Sequence, residues 1–329
     1  MGTQTQILLG NEEDAQASQL PSFDAQRDFF LSSLRSNGSM RYKRYTASPL
    51  RYAGGKSLAV GFVAELLPDQ LKRIVCPFMG GGSVEVACSK TLGLEIIAYD
   101  IFDILCTYWQ IQIDDPKELA RRLRQLKPTR ETFKEIKTVL KQHWDSEIRL
   151  DRYDLATHYY FNANTSYGPH FLGSPSSVYL QEDRYKKLVD KVENFDAGSL
   201  RVQCLGFEQS IPRHKNDFLY CDPPYYLNDG KMFVGMYPHR NFPVHHNNFN
   251  HELLRDLLLS HKGGFILSYN DCETIRKWYA GCNMTTPKWQ YTFGQGDTRI
   301  GENRVKSNGG SHIKKSHELL IWRHPNECR

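Results

Sequence analysis

The most restrictive stretch of this 329-residue chain is Asp222-Pro-Pro-Tyr225, which follows directly on the apolar run Phe218-Leu-Tyr-Cys221. The run reads as a buried strand. Two consecutive prolines fix φ and remove backbone donors, so the strand stops there and the turn is rigid. The acid in front of them adds chemistry. The Asp222 carboxylate and the Pro223 carbonyl are two fixed acceptors, able to take both N–H protons of an exocyclic amine. On a purine the lone pair of such an amine is delocalised into the ring, and two acceptors held in place beforehand favour a tetrahedral nitrogen whose lone pair can attack. Tyr225 offers a flat face on which an extruded base can stack.

Upstream, Arg73-Ile-Val-Cys-Pro77 reads as a second buried strand and runs into Phe78-Met-Gly-Gly-Gly-Ser83, from which a helix is expected to run to Leu92. Glycines let a backbone turn sharply and approach a ligand beside a helix N-terminus. Glu95-Ile-Ile-Ala-Tyr-Asp100 is a third strand, ending in an acid placed to bind ribose hydroxyls. The pair suits any adenosine-bearing cofactor, NAD included, although Gly80-Gly-Gly-Ser-Val-Glu85 lacks the last glycine of a dinucleotide fingerprint. Leu50-Arg-Tyr-Ala-Gly-Gly-Lys56-Ser fails as a phosphate loop, because position 50 is not glycine and no strand precedes it. Strand, glycine loop, helix and strand open a doubly wound α/β sheet.

Residues 1–46 are expected to be a flexible tail, too polar to build a core, with one short helix near Phe29-Phe30-Leu31 at most. A helix over Leu58–Leu67, ended by Pro68, follows. Between 115 and 195 the pattern changes to charged helices (118–126, 131–144, 153–161 and 182–192) around a Gly/Ser/Pro-rich loop, 168–177. This stretch reads as an inserted, mostly helical subdomain, and 47–114 with 196–325 as the α/β domain it interrupts. Strands at 201–205, 217–221, 264–269 and 317–322 and a helix at 250–261 complete that domain. The eight cysteines form no C-x-x-C pair, and five (76, 88, 106, 204 and 221) lie in apolar stretches where a thiol acts as a small hydrophobe. No apolar run reaches the roughly 18 residues of a membrane helix, and Ile7-Leu-Leu9 is too short for a signal peptide. A reduced, cytoplasmic protein without a metal centre is expected. The charge of +5, from 42 basic and 37 acidic residues, permits a polyanionic partner without requiring one.

Taken together, these motifs resemble the D12 class of DNA adenine-N6 methyltransferases, the group that includes the GATC adenine methylases, from about Ser48 to Trp322. The resemblance implies a Rossmann-like methyltransferase fold, a doubly wound mixed sheet with an inserted target-recognition subdomain. It implies S-adenosyl-L-methionine (AdoMet) as cofactor, held by Tyr52, Gly55, Lys56, Phe78, Gly80, Gly82, Ser83, Asp100, Phe207 and Asp222. Catalysis falls to Asp222, Pro223, Pro224 and Tyr225, acting on the N6 amine of an adenine flipped from duplex DNA. A site-specific enzyme of a restriction-modification system follows, with a restriction endonuclease as functional partner. Asn162-Ala-Asn-Thr-Ser-Tyr-Gly168 resembles a segment of the family's insert, and Glu318-Leu-Leu320 its closing strand.

One position departs from the family. Where it usually carries Asp-Phe, whose carboxylate meets the cofactor's adenine amine, this chain has Gly206-Phe207, followed by Glu208. Either Glu208 or a backbone group substitutes, or cofactor affinity is weaker. Residues expected toward DNA are Arg121 and Arg124 on the first helix of the insert, Asn164, Tyr167 and His170 around its loop, and Arg304, Lys314 and Lys315 in a polar stretch before the last strand. His239, His245, His246 and His251 have no metal-ligand spacing and suit a loop closing over the flipped base. Cytosine-N4 in DNA, adenine in RNA, and a catalytically silent DNA-binding scaffold are the competing readings. An acid rather than Ser at the head of the tetrad favours adenine, and the intact tetrad argues against a silent copy.

Overall fold

The computed structural model describes residues 22–35, 42–169, 171–226, 249–287 and 318–327. Seven strands make one sheet: β1 (Arg73–Cys76), β2 (Glu95–Asp100), β3 (Leu200–Cys204), β4 (Phe218–Cys221), β5 (Phe265–Asn270), β6 (Asn283–Thr285) and β7 (Glu318–Arg323). Their order is β3-β2-β1-β4-β5-β7-β6. The first five run parallel, and β7 enters antiparallel between β5 and β6. This is the doubly wound mixed sheet of a Rossmann-like methyltransferase. The chain winds outward from β1 in one direction through β2 and β3, and from β4 in the other. A crevice therefore opens beyond the carboxyl ends of β1 and β4, where such sheets bind ligands. Phe218-Leu-Tyr-Cys221 and all six residues of β5 are buried, as strands covered on both faces must be.

Helix α1 (Phe23–Leu34) corrects the expectation that the N-terminal stretch is too polar for a core. Ser22 caps it by accepting from the Ala25 N–H, and Phe30, Leu31 and Leu34 are buried. Three apolar residues on one stripe suffice because α2 (Val60–Glu65) supplies the opposing face, and Arg27 clamps the far end by donating to the Leu67 carbonyl and to Asp69. Tyr42 packs its ring over Gly61, where a Cβ would stand 2.2 Å from the ring. Helix α3 (Ser83–Val86) continues as a π-type turn over Ala87–Thr91, within the stretch read as helix.

Helices α4 (Asp103–Asp114), α5 (Pro116–Gln125), α6 (Arg130–Trp144), α7 (Arg152–Thr165) and α8 (Glu182–Glu193) fill the interval between β2 and β3. Helix α7 is the centre of this group, packed against α4, α5 and α6, with ten of its fourteen residues buried. The remaining helices, α9 (Phe207–Arg213), α10 (His251–Ser260) and α11 (Glu273–Trp278), cover the sheet. Cys76, Cys88, Cys106 and Cys221 are buried, whereas Cys204 is exposed, because β3 is an edge strand whose outer positions face solvent. No described helix is long and apolar enough to cross a membrane, and no described residues form a metal-binding group.

Candidate active site

Three chain segments converge on the crevice beyond β1, β2 and β4. The first is the glycine loop after β1. Gly80 and Gly82 take positive φ values of 45° and 65°, which glycine adopts without strain. The loop is pinned from both sides: Trp109 Nε1 donates to the Gly80 carbonyl at 2.9 Å, and the Gly80 N–H donates to Asp100 Oδ2 at 3.0 Å. A Cβ at Gly82 would stand 2.7 Å from both Met79 and Trp109, and one at Gly81 2.5 Å from Tyr52. Gly81, Gly82 and Ser83 are buried, so the glycines there serve internal packing, and Gly80 and Phe78 remain the partly open members of the loop.

The second element is Asp100. Its Oδ1 accepts from the Phe102 N–H at 3.0 Å while Oδ2 is held by Gly80. Burial pushes its acid upward, and the backbone N–H groups of Gly80, Phe102 and Ile101 oppose the shift by stabilising the anion. Each carboxylate oxygen has a second lone pair, so the side chain is oriented without being exhausted as an acceptor.

The third element is the Asp222-Pro-Pro-Tyr225 turn against the Tyr52–Lys56 loop. Lys56 is 6% exposed and sits 2.6 Å from Asp222 Oδ1 and 3.4 Å from Glu318 Oε1. Its Nζ also donates to the Gly54 carbonyl at 3.3 Å and lies 5.1 Å from the Tyr225 ring centre. Burial raises the Asp222 acid above its ordinary value, opposed by the Lys56 charge and hydrogen bond. Pro223 is buried, and Pro224 and Tyr225 are half-buried. Gly55 closes a turn by donating from its N–H to the Tyr52 carbonyl, while Gly54, at φ 74°, has open space where a Cβ would be.

Several contributors were given no role by the sequence, and His251, expected in a loop closing over the base, instead opens helix α10. Glu85 of α3 and Glu318 at the start of β7 are buried carboxylates, both pushed up to about 8 by burial. Asn270 donates from Nδ2 to the Tyr226 carbonyl at 2.7 Å and so fixes the backbone just after the turn. His251 hydrogen-bonds the Tyr269 hydroxyl and packs edge-on against Tyr226 and Phe249. A charged residue opening an apolar strand, as in Glu318-Leu-Leu-Ile-Trp322, was the available hint for Glu318.

At position 206, the nearest atom to an added Cβ is Glu208 Oε2, at 2.5 Å, followed by Ile101 Cδ1 at 3.8 Å. The Glu208 carboxylate thus folds back over Gly206 and stands where a longer side chain there would begin. Beside it Phe207 packs with Phe78 and Phe249, ring centres 5.7 and 4.9 Å away.

The expected DNA-facing residues scatter. Asn164 is fully buried: its Oδ1 accepts from the Arg51 N–H, and its Nδ2 donates to the Tyr160 carbonyl. Both ends of the amide are used inside the protein, which corrects the expectation that it touches DNA. Arg121 is paired with Glu118, and Arg124 with Asp190 and Glu193. Tyr167 is exposed at the base of a short loop, next to the Ser166–Pro175 bridge, with its N–H donating to the Ser174 carbonyl. His170, Arg304, Lys314 and Lys315, and with them His239, His245 and His246, lie outside the described residues.

Comparison with known proteins bears directly on this arrangement. The profile of the D12 class of N6 adenine-specific DNA methyltransferases matches residues 52–293. The type II methyltransferase M.FokI of Planomicrobium okeanokoites is 26% identical over 307 residues, covering 86% of this chain and 46% of that protein. The modification methylase StsI of Streptococcus sanguinis is 25% identical over 295 residues, covering 85% and 43%. The type II methyltransferase M1.LlaDCHI of Lactococcus lactis subsp. cremoris is 26% identical over 243 residues, covering 68% and 81%. The chain therefore spans less than half the length of the first two relatives.

Proposed function

The chain belongs to the D12 class of N6 adenine-specific DNA methyltransferases, and from that premise we propose that it methylates the N6 amine of adenine at a specific site in duplex DNA. The observation that carries this reading is the placement of Asp222, the Gly80 loop and Asp100 at the carboxyl ends of the neighbouring parallel strands β4, β1 and β2. AdoMet, when bound, supplies a methyl group on a sulfonium. The residues present fit an adenosine-bearing ligand: Asp100 keeps acceptor capacity for ribose hydroxyls, Gly54 leaves its backbone uncovered, and Phe78 and Phe207 flank an apolar wall. Glu208, folded over Gly206, takes the place of the family's Asp and accepts from the cofactor's adenine amine.

Asp222 and the Pro223 carbonyl then hold the two N–H groups of the flipped adenine, while Tyr225 stacks on its ring. The amine nitrogen's lone pair forms the new N–CH3 bond, the pair of the broken S–CH3 bond stays with sulfur, and one N–H proton leaves by way of Asp222. The remaining readings of the chain's layout follow from this. Residues 115–195 form the target-recognition unit, and 47–114 with 196–325 the catalytic one. Tyr167 is the insert residue offered to DNA; Arg121 and Arg124 must exchange their carboxylate partners for phosphate to take part. The names of the relatives, which are type II modification enzymes, support a role beside a restriction endonuclease.

The test is incubation of the chain with AdoMet carrying a labelled methyl group and unmethylated DNA, followed by nucleoside mass spectrometry. Labelled N6-methyladenine is expected, clustered at one short sequence. Label in N4-methylcytosine would keep the mechanism and overturn the substrate, and label in RNA alone would overturn the partner.

A further inference from the structure

The charged group that the reaction above leaves unused is Glu318. It is 2% exposed, in register with Asn270 across the β5–β7 pair, and its Oε1 lies 3.4 Å from Lys56 Nζ. Ser268 Oγ donates to the same oxygen at 3.2 Å. The ammonium is thus shared between two acids from different strands of the sheet, Asp222 after β4 and Glu318 of β7. Two carboxylates and one ammonium carry a net negative charge, which a low-dielectric interior resists by keeping a proton on one acid. The contacts identify which one: Lys56 stands 2.6 Å from Asp222, the ionised partner, and farther from Glu318. Burial accordingly pushes the Glu318 acid up to about 8, with Lys56 pulling it down and Asp222 adding to the rise.

We propose that Glu318 is a positioning residue for methyl transfer, a second acid that shares the Lys56 ammonium with Asp222 and draws it off the catalytic carboxylate when the Glu318 proton leaves. The proposal rests on the role given to Asp222 above. Among the described residues, the groups facing this pair are Lys56 ahead of α2, Glu85 of α3, Asp222 after β4 and the Ser268 hydroxyl of β5. Glu85 interacts with Asp222 and Lys56 and is itself pushed up to about 8, so it adds negative charge over the same pH window. While Glu318 is protonated, the ammonium occupies one oxygen of Asp222 and neutralises most of its charge, which weakens it as an acceptor of amine N–H groups. Once Glu318 ionises, the ammonium is divided between the two acids and Asp222 recovers its strength. These three residues come from three distant parts of the sequence, and Lys56 also donates to the Gly54 carbonyl at 3.3 Å.

The deciding experiment pairs two measurements on the full chain. Single-turnover methyl transfer to duplex DNA is followed from about pH 6 to pH 9.5 for the wild type, Glu318→Gln and Glu318→Asp. In parallel, the Lys56 ammonium resonance of 15N-lysine-labelled protein is titrated without DNA. The wild-type rate is expected to climb about tenfold through an inflection, since one pKa unit of coupling corresponds to a factor of ten. Glu318→Gln, which keeps the oxygen that faces Lys56 and Ser268, is expected to abolish the inflection and lock the rate at the low-pH level. Glu318→Asp restores an inflection at a displaced pH. The Lys56 resonance is expected to move over the same window in the wild type and in Glu85→Gln, and to lose most of that movement in Glu318→Gln, where only Glu85 still ionises. A Glu318→Gln profile that superimposes on the wild type, or a Lys56 resonance that does not titrate there, would overturn the proposal. Should Glu318→Gln fail to fold, the resonance in Glu85→Gln decides: a movement kept without Glu85 belongs to Glu318, and a movement lost with it overturns the proposal. Should no protein methylate DNA, the functional reading falls while the resonance still decides whether Glu318 and Asp222 share the ammonium.

Discussion

The crevice and the helical insert are both laced with ion pairs, and they use them in opposite ways. In the insert Arg121, Arg122 and Arg124 meet Glu118, Asp154, Asp190 and Glu193, all of them in contact with water. The pairs with Arg121 and Arg122 hold the Glu118 acid down to about 2, yet solvent screening leaves little of that as stability. In the crevice one ammonium, Lys56, serves Asp222 and Glu318 where both it and Glu318 are almost fully buried. There the interaction runs the other way: both glutamates are raised rather than lowered, because desolvation outweighs attraction. Surface pairs hold charges that water would hold anyway, whereas the buried set keeps protons ready to move near neutral pH.

The largest expected break in this contrast is Asp222→Ala. Methyl transfer should fall by at least about a thousandfold in single-turnover assays, since a positioned proton acceptor is removed. DNA affinity in a filter or anisotropy assay should change by only a few-fold. Next comes Lys56→Met, which leaves two buried carboxylates without their cation. Urea unfolding should show a loss of about 3–5 kcal/mol. The loss should be greater at pH 8 than at pH 6, because protonation relieves the stranded acids.

Glu85→Gln sharpens the comparison through pH. The folded chain holds the Glu85 proton up to about pH 8, whereas the unfolded chain releases it near the ordinary glutamate value of about 4.3. Between those values the native state binds more protons, so stability falls as pH rises. Thermal unfolding of Glu85→Gln should show a shallower decline across this window, by on the order of 2 kcal/mol. A smaller effect is expected at the rim, where Glu208→Gln should weaken S-adenosylhomocysteine binding about tenfold by calorimetry, the worth of one charge-assisted hydrogen bond. Binding unchanged by that substitution would return position 206 to an open question. Arg124→Ala should be the smallest of all, moving the melting temperature by no more than about 2 °C, and less in high salt.

What could be read from the linear chain was whatever a few neighbouring residues determine. Asp222-Pro-Pro-Tyr225 stands at the end of β4 and Asp100 at the end of β2 because an apolar run followed by prolines or by an acid specifies its own strand end. Helix α4 escaped notice because it is apolar on most of its circumference, with seven of twelve residues buried, and so shows no amphipathic period. Helix α1 was allowed for as one short helix, but its place in the core was missed because its burial depends on α2 rather than on its own composition. Glu318 and Glu85 were illegible for a stronger reason. Their role is set by the sheet order, which brings β7 beside β5 and within reach of a lysine near the other end of the chain. The arginines of α5 show the reverse limit: a basic run was visible, but the acids of α7 and α8 that pair with Arg122 and Arg124 come from elsewhere.

The placement of β7 also sets an order of events during synthesis. Because β7 lies between β5 and β6, the five parallel strands can assemble on the ribosome while β5 is still an open edge of six apolar or buried positions. Such an edge is a template for pairing with other chains. It closes only when residues 318–323 emerge, and that same strand delivers Glu318 to Lys56. A nascent chain therefore carries the turn and the glycine loop well before it carries the acid that shares the Lys56 ammonium with Asp222. Protection of the sheet and completion of the site arrive together, with β7.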